Sequence, residues 1–245
     1  MEFEGRVAMI TGAAVGIGRA TAILMAERGA DLVLLDVNGE KLKSVQDELA
    51  GYGRRVLIYT CDVSDEAAVC EVVAQATEAL GKIDILVNNA ALWRIWQSFV
   101  DMPSSLWKKY FDVNVMGTVY CTRAVLPKMI EQCWGRVVNV SSVAGVYGNA
   151  NMTNYSASKG AINAFTKALA KEVVAKGVLV NSVVPGSVSP SEDADIDAYE
   201  PSELAFMGRT GTDRENAELI CFLASDKASY IAGQNIQIDG CRKKQ

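Results

Sequence analysis

The residues best suited to chemistry in this chain are Ser142, Tyr155 and Lys159. The run Tyr155-Ser156-Ala157-Ser158-Lys159 sets a tyrosine and a lysine at i and i+4, on one face of a helix expected over 154–176. A phenol ordinarily titrates near about 10. An adjacent positive charge stabilises the phenolate and lowers that value. Tyr155 could then take a proton from an alcohol, or give one to a ketone, near neutral pH. On its own, Tyr-x-x-x-Lys is commonly a surface pair, so its meaning depends on what surrounds it. The chain has no histidine among its 245 residues. That excludes a Ser-His-Asp triad, a histidine base and most zinc sites, and no metal site is expected.

A second set of residues suits phosphate binding. An apolar strand, 6–11, runs into Thr11-Gly12-Ala13-Ala14-Val15-Gly16-Ile17-Gly18, and a helix over 16–28 follows. Glycine allows a sharp turn and a close backbone approach to a pyrophosphate. The helix start then presents free N–H groups and partial positive charge. The spacing is G-x-x-x-G-x-G, and its position between a strand and a helix gives it weight. The next strand ends at Asp36, near the offset of a ribose-binding acid. A carboxylate there accepts hydrogen bonds from ribose hydroxyls and repels a 2′-phosphate. Val37-Asn38-Gly39 and Val15 bring no compensating base, which favours NAD over NADP. Alternatively, Asp36 caps the helix at 39–51. Asp62 and Val63 follow the third strand, where Asp62 can meet an adenine, serve as a turn or cap residue, or do both.

The elements that must position these groups alternate along the chain. Strands are expected at 6–11, 31–36, 55–61, 83–88, 135–141, 178–184 and 235–238. Helices are expected at 16–28, 39–51, 65–80, 103–132, 154–176 and 213–224. The strands are continuously apolar, which suits burial on both faces. This order predicts an α/β fold, a single-domain doubly wound parallel sheet (Rossmann fold) with helices on both faces over 1–245. One stretch breaks the rhythm. Residues 187–208 hold Pro190, Pro201 and six acids (Glu192, Asp193, Asp195, Asp197, Glu200, Glu203), with no base before Arg209. They read as a mobile substrate lid.

With these motifs in order, the chain resembles the classical short-chain dehydrogenases/reductases over essentially its whole length. The resemblance rests on Gly12, Gly16, Ile17 and Gly18, on Asp36, Asp62 and Val63, and on Asn88-Asn89-Ala90. It continues through Asn114, Gly135 to Ser142, Tyr155 and Lys159, Asn181 to Val183, Pro185-Gly186, Ser225-Asp226, Ile231 to Gln234 and Ile238 to Gly240. It implies hydride transfer between a nicotinamide and a substrate carbinol carbon. Tyr155 is then the acid/base. Lys159 lowers its pKa and holds the nicotinamide ribose, Ser142 binds the substrate oxygen, and Asn114 holds a water linking Lys159 to solvent. Asn88, Asn89 and Ala90 line the cofactor cleft, Pro185 and Gly186 pass the nicotinamide, and Val188 meets its carboxamide. Asn88 and Asn114 have a plainer alternative, satisfying buried backbone.

The chain departs from the family pattern in three places. Ala91 stands where a glycine is usual, and Cys241 where the terminal Asp-Gly-Gly ends. Pro190 replaces the carboxamide-clamping threonine, with Ser189 or Ser191 as substitutes. Trp93 and Trp96, just past the cleft, either border an apolar or ring-shaped substrate or serve a subunit contact or surface packing, and Arg94 could meet an anion. Tyr147, Asn149, Met152, Phe206 and Met207 are further pocket candidates.

The family reading favours a free secondary alcohol or ketone, such as a sugar alcohol, cyclic alcohol or steroid. A 3-oxoacyl-acyl-carrier-protein reductase using NADPH is an alternative, disfavoured by Asp36 and by an acidic loop that repels an acidic carrier. A non-catalytic NAD(H)-sensing protein would not need Tyr155 and Lys159, and a purely structural oligomer would not need the intact glycine turn. The net charge of −5 without a basic stripe argues against nucleic acid. No apolar run reaches membrane-spanning length, and the N-terminus carries no signal-peptide pattern, so the cytoplasm is expected. The six cysteines form no CxxC pair and are expected to be reduced thiols. A homotetramer or dimer through 103–132, 154–176 and the C-terminal segment is also expected.

Overall fold

The computed structural model describes residues 1–188 and 195–243. Seven parallel strands form one sheet: β1 (Val7–Thr11), β2 (Asp31–Asp36), β3 (Val56–Thr60), β4 (Ile85–Asn88), β5 (Gly135–Val140), β6 (Val178–Pro185) and β7 (Asn235–Ile238). Their order is β3-β2-β1-β4-β5-β6-β7. The order reverses between β1 and β4, and a crevice opens there beyond the carboxyl ends of the strands, where ligands of such sheets bind.

The continuous apolar strands follow from burial on two faces. Ala8 and Ile10 of β1, with Leu32 and Leu34 of β2, enter one core. Val7, Met9, Val33 and Leu35 enter the other. The first core is covered by α1 (Gly16–Glu27), α2 (Gly39–Leu49) and α8 (Asp213–Ala224), through residues such as Leu24, Leu42 and Ile220. The second is covered by α3 (Glu66–Leu80), α5 (Gly117–Glu131) and α7 (Thr153–Val173), through Val69, Val125 and Val173.

The helix expected over 103–132 is not continuous. It divides into α4 (Ser104–Phe111), a π-helical turn Asp112–Met116, and α5. Wide turns of this kind let one extra residue project and often mark functional positions. Here the turn carries Asn114. The family-type helix at 154–176 closes α-helically at Val173 and ends in a 3-10 turn, Val174–Lys176. A short α6 (Ala144–Tyr147) leads from β5 toward α7.

Of the expected lid, residues 195–208 are a folded excursion. Ser202 N–H donates to Gly208 at 2.9 Å, Phe206 N–H to Cys241 at 3.0 Å, and Met207 N–H to Gly240 at 3.1 Å. Asp197 is paired with Arg214 at 2.9 Å, so its charge is neutralised. Ser189, Pro190 and Ser191 lie outside the described residues, as do Glu192 and Asp193.

Candidate active site

Every site residue read from the sequence and described here lies at or near the carboxyl ends of the strands, except Asn114, Tyr155 and Lys159, which helices bring in. The glycine turn follows β1. Gly12 and Gly16 take φ of +64° and +57°, the left-handed region that favours glycine. A Cβ on Gly18 would come within 2.0 Å of the Gly12 carbonyl oxygen, so the turn closes only with glycine there. A Cβ on Gly12 would meet the Ala90 Cα at 2.8 Å. Asn89 bolts the end of β4 to this turn, donating from Nδ2 to the carbonyls of Thr11 (3.1 Å) and Gly12 (2.9 Å). Thr11 Oγ1 accepts from the N–H of both Asn89 and Ala90. Asn89 thus shapes the cleft through its side chain. Thr11, which heads the glycine motif in the sequence, is thereby the hub between β1 and the end of β4.

Helix α1 starts at Val15 without a side-chain cap and without an acid in its first turn. Its first N–H groups therefore suit the negative charge of a pyrophosphate. Asp36 does not cap α2; Asn38 does, accepting from Lys41 N–H at 3.0 Å. The Asp36 oxygens instead accept from Ala14 N–H at 3.0 Å and Asn38 N–H at 2.9 Å. The carboxylate is thereby fixed between the glycine turn and the end of β2. Asp62 takes the turn role, accepting from Ser64 N–H and Oγ at 2.9 and 2.7 Å, while Asp65 caps α3. Val63 is buried against Gly117. Val37 is exposed. These features fit a dinucleotide: an uncapped helix start for its phosphates and an anchored carboxylate for a ribose.

At the end of β4, Asn88 serves side chains rather than backbone. Its Nδ2 donates to Thr122 Oγ1 (3.0 Å) and Asn139 Oδ1 (2.9 Å), and Asn139 Nδ2 donates to Thr166 Oγ1 (2.9 Å). This buried chain ties β4 and β5 to α5 and α7. Asn139 and Thr166 were not legible beforehand, because pairing across strands and helices leaves no local pattern.

Ser142 follows β5, and its Oγ accepts from Ala144 N–H at 3.1 Å. It also lies close enough to the Tyr155 phenol to favour the phenolate. The Tyr155 ring keeps some access to solvent, yet its hydroxyl is enclosed by protein. Lys159 is buried, and its Nζ donates to the Val140 carbonyl at 2.7 Å and stands 5.8 Å from the Tyr155 ring centroid. Burial pushes the Tyr155 phenol up to about 12; Ser142 opposes this and the nearby Tyr110 adds to it. Burial pushes the Lys159 ammonium down to about 8. In the chain by itself burial is the dominant influence on both groups; the other expected source of lowering, a positive nicotinamide ring, would act only with cofactor bound.

Asn114, in the π turn, is fully engaged. Its Oδ1 accepts from Leu92 N–H at 2.8 Å, and its Nδ2 donates to the Leu92 carbonyl and to Ser158 Oγ, both at 3.0 Å. Trp93 and Trp96 are exposed in the loop that begins there, with the Arg94 guanidinium 4.9 Å from the Trp93 ring centroid. On the far side, Val143 N–H donates to the Pro185 carbonyl and Gly186 N–H to Ile238. Val188 bridges to Gly211. Among the lesser pocket candidates, Met152 is buried, whereas Tyr147, Phe206 and Met207 are exposed. Asn149 accepts from Arg242 at 3.3 Å.

A family model, short chain dehydrogenase, matches residues 6–200. The chain belongs to the short-chain dehydrogenases. It is 41% identical over 243 residues to a 3-oxoacyl-acyl-carrier-protein reductase of Thermotoga maritima, covering 98% of each chain. It is 35% identical over 246 residues to an NAD(+) 2-dehydro-3-deoxy-L-rhamnonate dehydrogenase of a Sphingomonas species, covering 98% and 96%. A crystal structure of an NAD+-bound xylitol dehydrogenase superposes with a TM-score of 0.91 at 32% identity, covering 98% of this chain and 100% of that one. The protein is thus an oxidoreductase on a Rossmann-like sheet. Among the described residues, no helix of this short-chain dehydrogenase is long and apolar enough to cross a membrane.

Proposed function

We propose that this chain is an NAD-dependent dehydrogenase or reductase of a free small secondary alcohol or ketone, acting in the cytoplasm with Tyr155 as its acid/base. The observation that carries the reaction is the Tyr155 hydroxyl near Ser142 and one helical turn from buried Lys159. When bound, the nicotinamide supplies the hydride acceptor or donor at its C4. The chain's own groups do the rest. Ser142 holds the substrate oxygen beside the phenol. Tyr155 gives its proton to that oxygen in reduction and removes it in oxidation. Lys159 holds the nicotinamide ribose, and its ammonium offers a route for the proton to leave. Asn88, Asn89, Ala90, Pro185, Gly186 and Val188 shape the nicotinamide end of the cleft, with Trp93 and Trp96 on the substrate side.

Asp36 supports NAD. Its two oxygens are fixed by backbone N–H groups, so the carboxylate cannot swing away from a 2′-phosphate. The two NAD-named relatives agree with this reading. The 41% identity to an acyl-carrier-protein reductase supports a second reading, reduction of a 3-oxoacyl thioester. The test is a panel of sugar alcohols, cyclic alcohols, steroid alcohols and acetoacetyl-CoA with NAD(H) and NADP(H), read at the reduced-cofactor absorbance. Turnover of secondary alcohols with NAD is expected. NADPH with acetoacetyl-CoA alone would establish the second reading, and tighter NADP than NAD binding would sink the cofactor assignment. Assembly as a homotetramer or dimer, through α5, α7 and the C-terminal segment, is part of the same proposal and is read by light scattering.

A further inference from the structure

The loop carrying Trp93 and Trp96 is held to the catalytic helix by a residue to which the sequence assigned no role. Tyr110, in the last turn of α4, is 1% exposed. Its hydroxyl accepts the Ile95 N–H at 3.2 Å. Its ring stands edge-on to Tyr155, centroids 6.5 Å apart and planes at 85°. Four residues later, Asn114 repeats the pattern. It grips Leu92 through both backbone groups and reaches Ser158, which lies between Tyr155 and Lys159 on α7. A third tether joins Gln97 N–H to the Asn151 carbonyl at 2.8 Å, just ahead of α7. The loop is therefore fixed at 92, 95 and 97, and two of those fixings lead to side chains that also contact α7.

We propose that Tyr110 is a positioning residue that couples the aromatic loop 93–96 to the Tyr155 phenol, so that one side chain sets both the substrate wall and the proton-transfer group. The assignment rests on the reading of Tyr155 as the acid/base. An edge-to-face contact fixes the plane of the Tyr155 ring while leaving its hydroxyl to Ser142. The hydroxyl of Tyr110 supplies the acceptor for a loop N–H that no strand or helix satisfies. The two functions sit on different atoms of one residue, so they can be separated by substitution.

Tyr110→Phe removes only the acceptor. Hydrogen exchange read by mass spectrometry should then speed about three- to tenfold in the peptide covering 92–97, the range expected for one net hydrogen bond. KM for the secondary alcohol oxidised fastest in the panel should rise by a similar factor, with kcat at its pH optimum within twofold and the alkaline limb of the pH profile moved to lower pH, since the Tyr110 hydroxyl helps to raise the Tyr155 phenol. Ile95→Pro, which removes the donor instead, should reproduce the KM effect with Tyr110 intact. Tyr110→Leu, which also removes the ring edge, should lower kcat as well, while the Kd of NADH measured by fluorescence stays within twofold. Unchanged exchange over 92–97 in Tyr110→Phe, or a loss confined to kcat, would overturn the proposal. If Tyr155→Phe kept full turnover, the acid/base reading would fail separately, and the exchange data would still decide whether Tyr110 tethers the loop.

Discussion

Asp213 offers the sharpest quantitative test of how this site is built. It lies in the first turn of α8, 6% exposed, with Oδ1 3.7 Å from where a Cβ on Gly16 would stand. A helix N-terminus favours negative charge by about 0.3–1 kcal/mol. Burial nevertheless prevails and raises the carboxyl from its ordinary 3.8 to about 6, with Arg19 opposing. Between those two pH values the folded chain keeps a proton that the unfolded chain has released. Stability must therefore fall as pH rises from about 4 to about 6, and stay lower above that. At 1.36 kcal/mol per pH unit, the gap corresponds to about 3 kcal/mol as an upper bound. Asp213→Asn keeps the shape and removes the charge. At pH 7.5 it should raise stability by about 1–3 kcal/mol, or a Tm gain of about 3–8 °C in a chain of this size. Thermal unfolding of both proteins from pH 4 to 8 measures this. The gain should shrink toward zero near pH 4. A variant no more stable at pH 7.5, or one with the same gain at both ends, would refute the argument that charge burial is the cause.

Four further outcomes are expected. Tyr155→Phe should abolish turnover while NADH affinity, followed by fluorescence, stays nearly intact. Because the phenol is held near 12, reduction should persist through neutral pH and decline only in alkali, whereas oxidation should accelerate as pH rises; initial rates in both directions from pH 6 to 10 test the sign. Asp36→Ala should relax the preference for NAD, by about tenfold or more in the NAD/NADP ratio of kcat/KM, since a carboxylate and a phosphate about 4 Å apart repel by roughly 1–4 kcal/mol. Gly18→Ala should cost more than about 2 kcal/mol of stability, with loss of NADH binding, because its methyl has no room beside the Gly12 carbonyl; denaturant unfolding and a binding titration check both.

Local order in this protein was legible because it is written locally. Continuous apolar strands, the glycine spacing and the helix stops depend on residues close in sequence, and the seven strands appear where periodicity placed them. Ser142, Tyr155 and Lys159 stood out as candidates by type and spacing. Their electrostatics were not. How far a phenol is shifted depends on burial and on neighbours such as Tyr110, which spacing does not reveal. The same holds for Asp36, whose partners are Ala14 and its near neighbour Asn38, and for Asn89, whose amide is used on Thr11 and Gly12, 78 and 77 residues away.

The interrupted helix makes the point most clearly. Residues 103–132 carry one helical pattern, and nothing in that pattern marks a wide turn at 112–116. Within that turn Asn114 is held at once by Leu92 and Ser158, 22 and 44 residues distant. Sequence alone therefore determined the strands, the glycine turn and the candidate site side chains, since these follow from local propensity and spacing. Only the tertiary structure decided their protonation, their anchors and the Tyr110–Asn114 grip on the loop, since those depend on burial and on contacts between segments far apart in the chain.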